Sequence, residues 1–210
     1  AMYAVPSTLL ADGESYQALV VQLQDIDGNP TVARSDIPVV LSSSSRLAGY
    51  IKNKDLTIKT GSTYAIAEFI TSTTPDRTTI TVSSPGVNTV STDLNVVLQE
   101  FKYTISNIPS RLNGLEGIPI NVTVSVDDIP VNGVLVQVSG AYAETNSSVT
   151  SGNGEAEVIY KPTAGGNNTV LLTISKKGYT TVTKSFNIYI EQPIRITIKT
   201  VTEKGKDLDA

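Results

Sequence analysis

The sequence predicts an all-β protein made of two tandem antiparallel β-sandwiches. Three observations predict this class: apolar residues alternate with polar ones along short segments, turn residues separate these segments, and one order of segments occurs twice along the 210 residues. Alternation with a period of two places one face of a strand in a core and the other in water. Many short strands with regular turns are typical of sandwiches and barrels.

The clearest alternating segment is residues 118–126, where Ile and Val occupy every second position. Residues 134–138 and 186–190 repeat this pattern. β-Branched residues are enriched in such segments because their side chains pack well on a pleated surface. Sequences rich in Gly, Pro, Asn and Asp, such as residues 25–30 and 165–168, separate the segments. The chain is therefore predicted to consist of strands joined by short turns.

The same order of elements appears in both halves of the chain. A strand at residues 16–24, a turn and a strand at residues 37–41 in the first half correspond to a strand at residues 118–126, a connection and a strand at residues 134–138 in the second. In each half, a Gly-containing turn, an alternating strand and a Thr-rich strand come later. This repetition indicates duplication of one structural unit.

The repeat predicts the domain organisation. We expect a first module at residues 1–99, a second at residues 100–192, and a C-terminal strand and tail at residues 193–210 that either finishes the second module or opens a further one. A sandwich of this kind takes roughly 100 residues, which fits two modules. The link at residues 98–101 contains no Gly, Ser or Pro. A semi-rigid connection is therefore expected.

The composition excludes several classes of function. The chain has 16 basic and 20 acidic residues, with the basic ones scattered, so no nucleic-acid partner is expected. It has no His and no Cys, which excludes Ser-His-Asp and Cys-His nucleophilic sites. No apolar run approaches the roughly 20 residues that span a bilayer, so no membrane insertion is expected within these residues. We therefore predict that the protein is not an enzyme.

An Asp-Gly pair at residues 12–13 is followed by a strand and then by Asp-Ile-Asp-Gly-Asn-Pro at residues 25–30. This arrangement resembles the bacterial Ig-like group 1 modules of invasins and intimins. Residues 64–69 and 78–83 resemble later strands of the same module, and the second half of the chain is a looser Ig-like match. The resemblance implies two tandem immunoglobulin-like antiparallel β-sandwiches in a surface stalk, without catalytic residues.

Asp25, Asp27 and Asn29 have the alternate-residue spacing of oxygen ligands in a calcium loop. The Glu that ends such a twelve-residue loop is missing, because that position is Asp36. A turn in which a side chain bonds its own backbone accounts for the same residue types. We predict no cofactor and no metal, with calcium at Asp12, Asp25, Asp27 and Asn29 as the open alternative.

Two acidic residues and three asparagines are further candidate sites. Glu155 and Glu157 share one predicted strand face at a spacing of roughly 7 Å, which falls within the range of glycosidase acid pairs, but outward strand faces commonly carry such charges. We therefore predict that these two are solvated.

Three Asn-x-Ser/Thr sequences in the second half are candidate glycosylation sites. Their asparagines are Asn121, Asn146 and Asn167.

Together these features predict a structural or adhesive spacer of an extracellular or cell-surface protein. Its expected partners are neighbouring Ig-like modules of the same chain and a protein or glycan receptor. Two alternatives stay open. A carbohydrate-binding accessory region of a secreted hydrolase would display a line of exposed Tyr on one sheet. A surface-layer assembly component would pair with neighbours through edge strands or through the alternating run at residues 193–200.

Overall fold

The computed structural model describes residues 1–106 and 108–192, which form strands and turns. None of these residues belongs to a helix long and apolar enough to cross a bilayer. The chain divides into two compact units. The first unit contains Ala1–Lys102, Ser125–Ile129 and Ser175–Val182, and the second contains the other residues. The module boundaries drawn from the sequence stay a prediction.

Two facing sheets form the first unit. Their strands are β1 (Met2–Ala4), β2 (Thr8–Leu10), β3 (Ser15–Gln22), β4 (Ile37–Ser43), β5 (Gly49–Ile51), β6 (Asp55–Ile58), β7 (Tyr64–Thr71), β8 (Asp76–Ser84) and β9 (Val87–Val97). One sheet has the order β1-β3-β7-β5 and the other the order β2-β9-β8-β4-β6. In immunoglobulin lettering the first order is A-B-E-D, and β9-β8-β4 in the second is G-F-C, with β2 added beside G and β6 added beside C. The predicted all-β, immunoglobulin-like fold class is confirmed by this order.

The core of the first unit lies between its sheets, because each strand directs every second side chain inward. Leu19 and Phe69 come from one sheet, and Leu41, Ile80 and Leu94 come from the other; all five are at most 1% exposed. Burial of each such side chain stabilises the fold by about 1.5–3 kcal/mol. The alternation seen in the sequence therefore selects which residues meet between the sheets.

Among the described residues, every ladder of the first unit except one is antiparallel, and the second unit also contains a parallel ladder. In the first unit β2 runs parallel to β9, with Thr8 opposite Asn95 and Leu10 opposite Val97. Parallel neighbours need a long connection between them. Here the connection consists of strands β3 to β8, so the parallel pair joins the beginning of the unit to its end.

The second unit repeats this architecture. Its strands, some of which have end residues in the first unit, are β10 (Lys102–Ile105), β11 (Arg111–Asn113), β12 (Ile118–Val126), β13 (Ile129–Pro130), β14 (Leu135–Gly140), β15 (Ala143–Glu144), β16 (Asn146–Val149), β17 (Glu155–Pro162), β18 (Gly166–Ser175) and β19 (Val182–Glu191). The sheet orders are β10-β12-β17-β15, with β13 beside β12, and β11-β19-β18-β14-β16. Apart from the additional β13, these orders match those of the first unit. Val122, Val158 and Leu172, all fully buried, belong to its core.

The alternating segments of the sequence become these strands. The segment at residues 118–126 coincides with β12, and the one at residues 37–41 is extended by two residues in β4 (Ile37–Ser43). The segment at residues 134–138 begins one residue later, in β14 (Leu135–Gly140), because Val134 donates its N–H to the Thr150 hydroxyl. The predicted run at residues 193–200 lies outside the described residues.

Candidate functional site

The residues with calcium-like spacing form a self-bonded turn. The Oδ1 atom of Asp25 accepts the backbone N–H of Asp27 at 3.0 Å and that of Asn29 at 2.8 Å. The Asp25 N–H donates to the Asn29 carbonyl at 2.9 Å. Gly28 closes the turn with a φ of 84°, a conformation that glycine adopts without steric cost. Backbone groups therefore already occupy one carboxylate oxygen of Asp25.

Asp12 holds a different part of the first unit. Its Oδ1 accepts hydrogen bonds from the Glu14 N–H and the Thr71 hydroxyl, each at 3.0 Å, and its Oδ2 accepts the Tyr16 hydroxyl at 2.6 Å. The Thr71 hydroxyl in turn accepts the Gly13 N–H at 3.1 Å. Burial, and then the hydrogen bond to Asp12, raise the pKa of Tyr16 well above its usual range. The Asp-Gly pair of the sequence motif is thus a structural tie between the start of β3 and the end of β7.

The structure does not bring Asp12 and the Asp25 turn together. Asp12 precedes β3 (Ser15–Gln22) and Asp25 follows it, so the length of an eight-residue strand, about 25 Å, separates them. Among the described residues no group of three or more acidic side chains is arranged to hold a metal ion. The predicted absence of a metal and its calcium alternative both stay untested, and of the candidate residues only those of the Asp25 turn lie together.

The three candidate glycosylation asparagines have different surroundings. Asn121 is exposed on β12, opposite Glu157, and Asn167 is exposed near the start of β18. Asn146 is partly buried, and its Oδ1 accepts the Ile159 N–H at 2.9 Å. The side chains of Asn121 and Asn167 are therefore accessible for the attachment of a glycan, whereas that of Asn146 is hydrogen-bonded between β16 and β17.

The acidic pairs lie on the surface of the protein. Glu155 and Glu157 occupy exposed alternate positions on β17, as the sequence predicts. Asp128 forms an ion pair with Lys102, and both side chains are more than two-thirds exposed. The hydrogen bond to Lys102 lowers the pKa of Asp128. Asp127 and Asp128 have φ values of 49° and 63°, which fits a tight turn made of residues that tolerate this conformation.

Exposed tyrosines lie on the outward face of the sheet β1-β3-β7-β5. Tyr3 is opposite Val20 and Tyr50 is opposite Ile70, whereas Tyr64 precedes Ile66 by two residues, so all three rings are on the side away from the core. Their exposed fractions are 41%, 53% and 52%, in that order. The carbohydrate-binding alternative requires such a face, and the sequence alone could not show that these separated tyrosines share one.

A basic surface cavity of about 350 Å³ lies at the free edge of β5. No sequence motif predicts it, because its residues come from the end of β4, from β5 itself and from the loops on both sides of β5. It is lined by Ser43, Arg46, Gly49, Tyr50, Ile51 and Lys54. No described acidic residue forms an ion pair with Arg46 or Lys54.

The segment that follows β9 is hydrogen-bonded on one side to residues 178–180. The Gln99 N–H donates to the Gly178 carbonyl at 2.9 Å, and the Gln99 carbonyl accepts the Thr180 N–H at the same distance. Phe101 stacks on Tyr179 with ring centroids 4.6 Å apart and an interplanar angle of 5°. All these residues belong to the first compact unit. The segment predicted as a link is therefore an ordered part of that unit.

Comparisons with solved structures returned bacterial surface proteins. The Yersinia pseudotuberculosis adhesin InvE is 17% identical, with a TM-score of 0.41 over 91% of this chain and 58% of that one. The D0–D1 domain of intimin is 18% identical, with a TM-score of 0.39 over 90% and 97%. Domains 4 and 5 of the S-layer protein SbsC are 16% identical, with a TM-score of 0.37 over 87% and 91%.

No protein-family model matches this chain, and no curated protein matches it either. The chain spans less than two thirds of the InvE structure. The similar structures include invasin and intimin, the proteins whose modules the turn at residues 25–30 resembles. The immunoglobulin-like assignment itself rests on the strand order of the two sheets in each unit.

Proposed function

We propose that this chain is a non-catalytic, force-bearing spacer in an extracellular or cell-surface protein, where it holds neighbouring modules in line and supports adhesion through a protein or glycan receptor. The observation that carries the proposal is the parallel ladder in each unit, which joins a strand near the beginning of the unit to the strand at its end. Its geometry determines how the unit responds when the two ends of the chain are pulled apart.

In the first unit, tension on the chain pulls β2 toward its N-terminal end and β9 toward its C-terminal end. Because the strands are parallel, these forces slide one strand along the other and load the bonds of the ladder together. The ladder includes an Asn95 N–H bond to the Ser7 carbonyl at 2.9 Å and an Ala11 N–H bond to the Val97 carbonyl at 2.8 Å. Strands pulled apart from one end would break these bonds one at a time.

The second unit has the same arrangement. β11 runs parallel to β19, with Arg111 opposite Tyr189 and Asn113 opposite Glu191. The Tyr189 N–H donates to the Ser110 carbonyl at 2.9 Å, and the Arg111 guanidinium lies 5.3 Å from the centre of the Tyr189 ring. Arg111 also forms an ion pair with Glu191. Side-chain contacts therefore reinforce the ladder near the C-terminal end of β19.

The residue types support a role without catalysis. The chain has no His and no Cys, so it lacks the usual proton carriers and thiol nucleophiles. Glu155 and Glu157 project from an outward strand face. General acid–base catalysis needs a carboxyl group held against a bound substrate, which an exposed pair on an open face does not provide.

Single-molecule pulling through introduced cysteines tests the proposal, because the natural chain has no competing thiol. Handles at Ser7→Cys and Glu100→Cys load the β2–β9 ladder in shear, whereas handles at Ser7→Cys and Ser91→Cys pull both strands from the same end. All three positions are exposed. We expect the first pair to require the higher unfolding force. Equal forces in the two geometries would contradict a force-bearing role for the ladder.

A further inference from the structure

We propose that the cavity beside β5 is a binding site for a carboxylate-bearing sugar. Its volume of about 350 Å³ is at the lower end of small-molecule sites and suits one or two sugar rings. The proposal is independent of the spacer role, because it concerns the surface of the first unit and not its load-bearing ladder.

The charge of the cavity selects an anion. Arg46 and Lys54 both line it, and no described acidic side chain neutralises either one by an ion pair. The neighbouring Lys52, by contrast, is paired with Glu68 at 2.8 Å. A guanidinium presents paired donors that match the two oxygens of a carboxylate, and an ammonium adds a second charge-assisted bond. The net charge of the whole chain is −4, so this attraction is local.

The backbone contributes a further donor. The Lys52 N–H donates a hydrogen bond to the Glu68 carbonyl on β7. Because the backbone groups of successive residues point to opposite sides of a strand, those of Tyr50 and Lys52 both face β7. Ile51 therefore directs its N–H and carbonyl to the other side, where β5 is the last strand of its sheet. Ile51 is also one of the residues that line the cavity. Ile51 is 2% exposed, so its N–H is a donor only for a ligand oxygen that reaches into the cavity.

The remaining lining residues favour a sugar over a simple anion. Tyr50 is 53% exposed and offers an aromatic face, whose negative centre attracts the C–H groups on the apolar side of a pyranose ring. The Ser43 hydroxyl can exchange hydrogen bonds with ring hydroxyls. Cationic, aromatic and hydroxyl groups at one cavity are complementary to a hexuronic acid, which carries a carboxylate, C–H faces and hydroxyls.

The probe is a short oligomer of galacturonic acid, titrated into the isotopically labelled chain and followed by amide NMR shifts and calorimetry. We expect saturable binding, shifts centred on Ile51 and Lys54, and weaker binding as salt increases. Acetate at the same carboxylate concentration tests whether the cavity binds any carboxylate. A neutral galactose oligomer tests whether it binds sugars without a carboxylate. Binding of acetate or of the neutral oligomer as tight as that of the uronate would overturn the proposal.

Four variants sharpen the test. Arg46→Gln and Lys54→Gln should each weaken uronate binding about tenfold, because each removes one charge-assisted bond. Lys59→Gln makes the same charge change at an exposed ion pair with Asp36 and should leave affinity unchanged. Tyr50→Ala should weaken uronate binding and leave any response to acetate unaltered. If Lys59→Gln weakens uronate binding as much as Arg46→Gln does, binding depends only on the overall charge of the protein, and the proposal is wrong.

An acidic peptide that adds a strand to the β5 edge is the competing occupant. Titration with an Asp-rich heptapeptide distinguishes it, because strand addition would shift every amide of β5 and of the facing loop. Tighter binding of the peptide than of the uronate would overturn the sugar assignment. The substituted side chains, at positions 46, 50, 54 and 59, are exposed, so unchanged thermal unfolding midpoints are expected and exclude misfolding as the cause of lost binding.

Discussion

The hydroxyl of Tyr16 donates a 2.6 Å hydrogen bond to the Oδ2 atom of Asp12, four residues before it in the chain. This bond fixes the chain where it enters β3, and the other carboxylate oxygen, Oδ1, ties the same point to Thr71 at the end of β7. The Asp-Gly pair that the sequence motif contains is thus explained by a network that closes one end of the first unit.

Tyr16 should make the first unit sensitive to alkaline pH. Its pKa is raised in the folded state, by burial and by the bond to Asp12. The folded state therefore keeps its proton where an unfolded tyrosine, with a pKa of about 10, loses it. The stabilisation is fully present below pH about 10 and is lost as pH rises beyond it. In urea unfolding at increasing pH, Tyr16→Phe should be less stable than the parent at pH 7 and approach it above pH 10. A difference that stays constant with pH would contradict this.

Thr71→Val tests the hydrogen bonds that the Thr71 hydroxyl makes to Asp12 and Gly13. Thr71 is 3% exposed, and its hydroxyl donates to Asp12 and accepts from the Gly13 N–H. Valine keeps the volume and leaves both partners without this bond. We expect a loss of about 1–2 kcal/mol in the free energy of unfolding. Thr57→Val, at an exposed position of β6, is the matched control and should change stability by less than about 0.5 kcal/mol. Equal effects of the two changes would contradict the network.

Gly49→Ala should be strongly destabilising. Gly49 has a φ of 139°, and an added Cβ would sit 2.1 Å from the backbone carbonyl oxygen of Ile70, which cannot move without disrupting the β5–β7 pairing. The expected loss is about 3 kcal/mol, from strain and overlap together. Gly28→Ala is the control, because Gly28 also has positive φ but has open space around it. Its loss should be about 1 kcal/mol. Thermal unfolding compares the two, and equal losses would show that overlap contributes nothing.

Phe101→Ala should destabilise the first unit. Phe101 is 8% exposed and stacks on Tyr179, so the change removes both burial and a ring contact. We expect a loss of about 3 kcal/mol. Hydrogen exchange should locate the loss, with faster exchange at the Gln99 and Thr180 amides. Tyr142→Ala, in a turn where the ring is 55% exposed, should leave stability and exchange unchanged. Protection of Gln99 that survives Phe101→Ala would contradict the role of the stack.

Much of the fold could be predicted from local patterns. The alternating segment at residues 118–126 is β12, because a strand places all the apolar residues of such a segment on one face, where they can be buried together. The turn at residues 25–30 bonds its own backbone through Asp25, as its residue types predict. Short-range geometry decides such features, so the sequence needs no knowledge of distant residues to specify them.

The surface sites were harder to predict because they depend on which strands become neighbours. Asp12 and Asp25 were candidates for one metal site, yet β3 separates them. Arg46 and Lys54 belong to no motif, and they line one cavity only because β5 lies at the edge of its sheet. Pairing across long sequence separations fixes these relationships, whereas side-chain alternation is a property of a single strand.

By itself, the sequence determined that this protein is all-β, where its main strands lie, that one order of elements is used twice, and that His- and Cys-dependent chemistry is absent. Only the tertiary structure decided that β2 and β9 form a parallel ladder, that Tyr3, Tyr50 and Tyr64 share one face, and that Phe101 stacks on Tyr179. The physical reason is that side-chain alternation is a local property of a strand, whereas strand order depends on the packing of the whole unit.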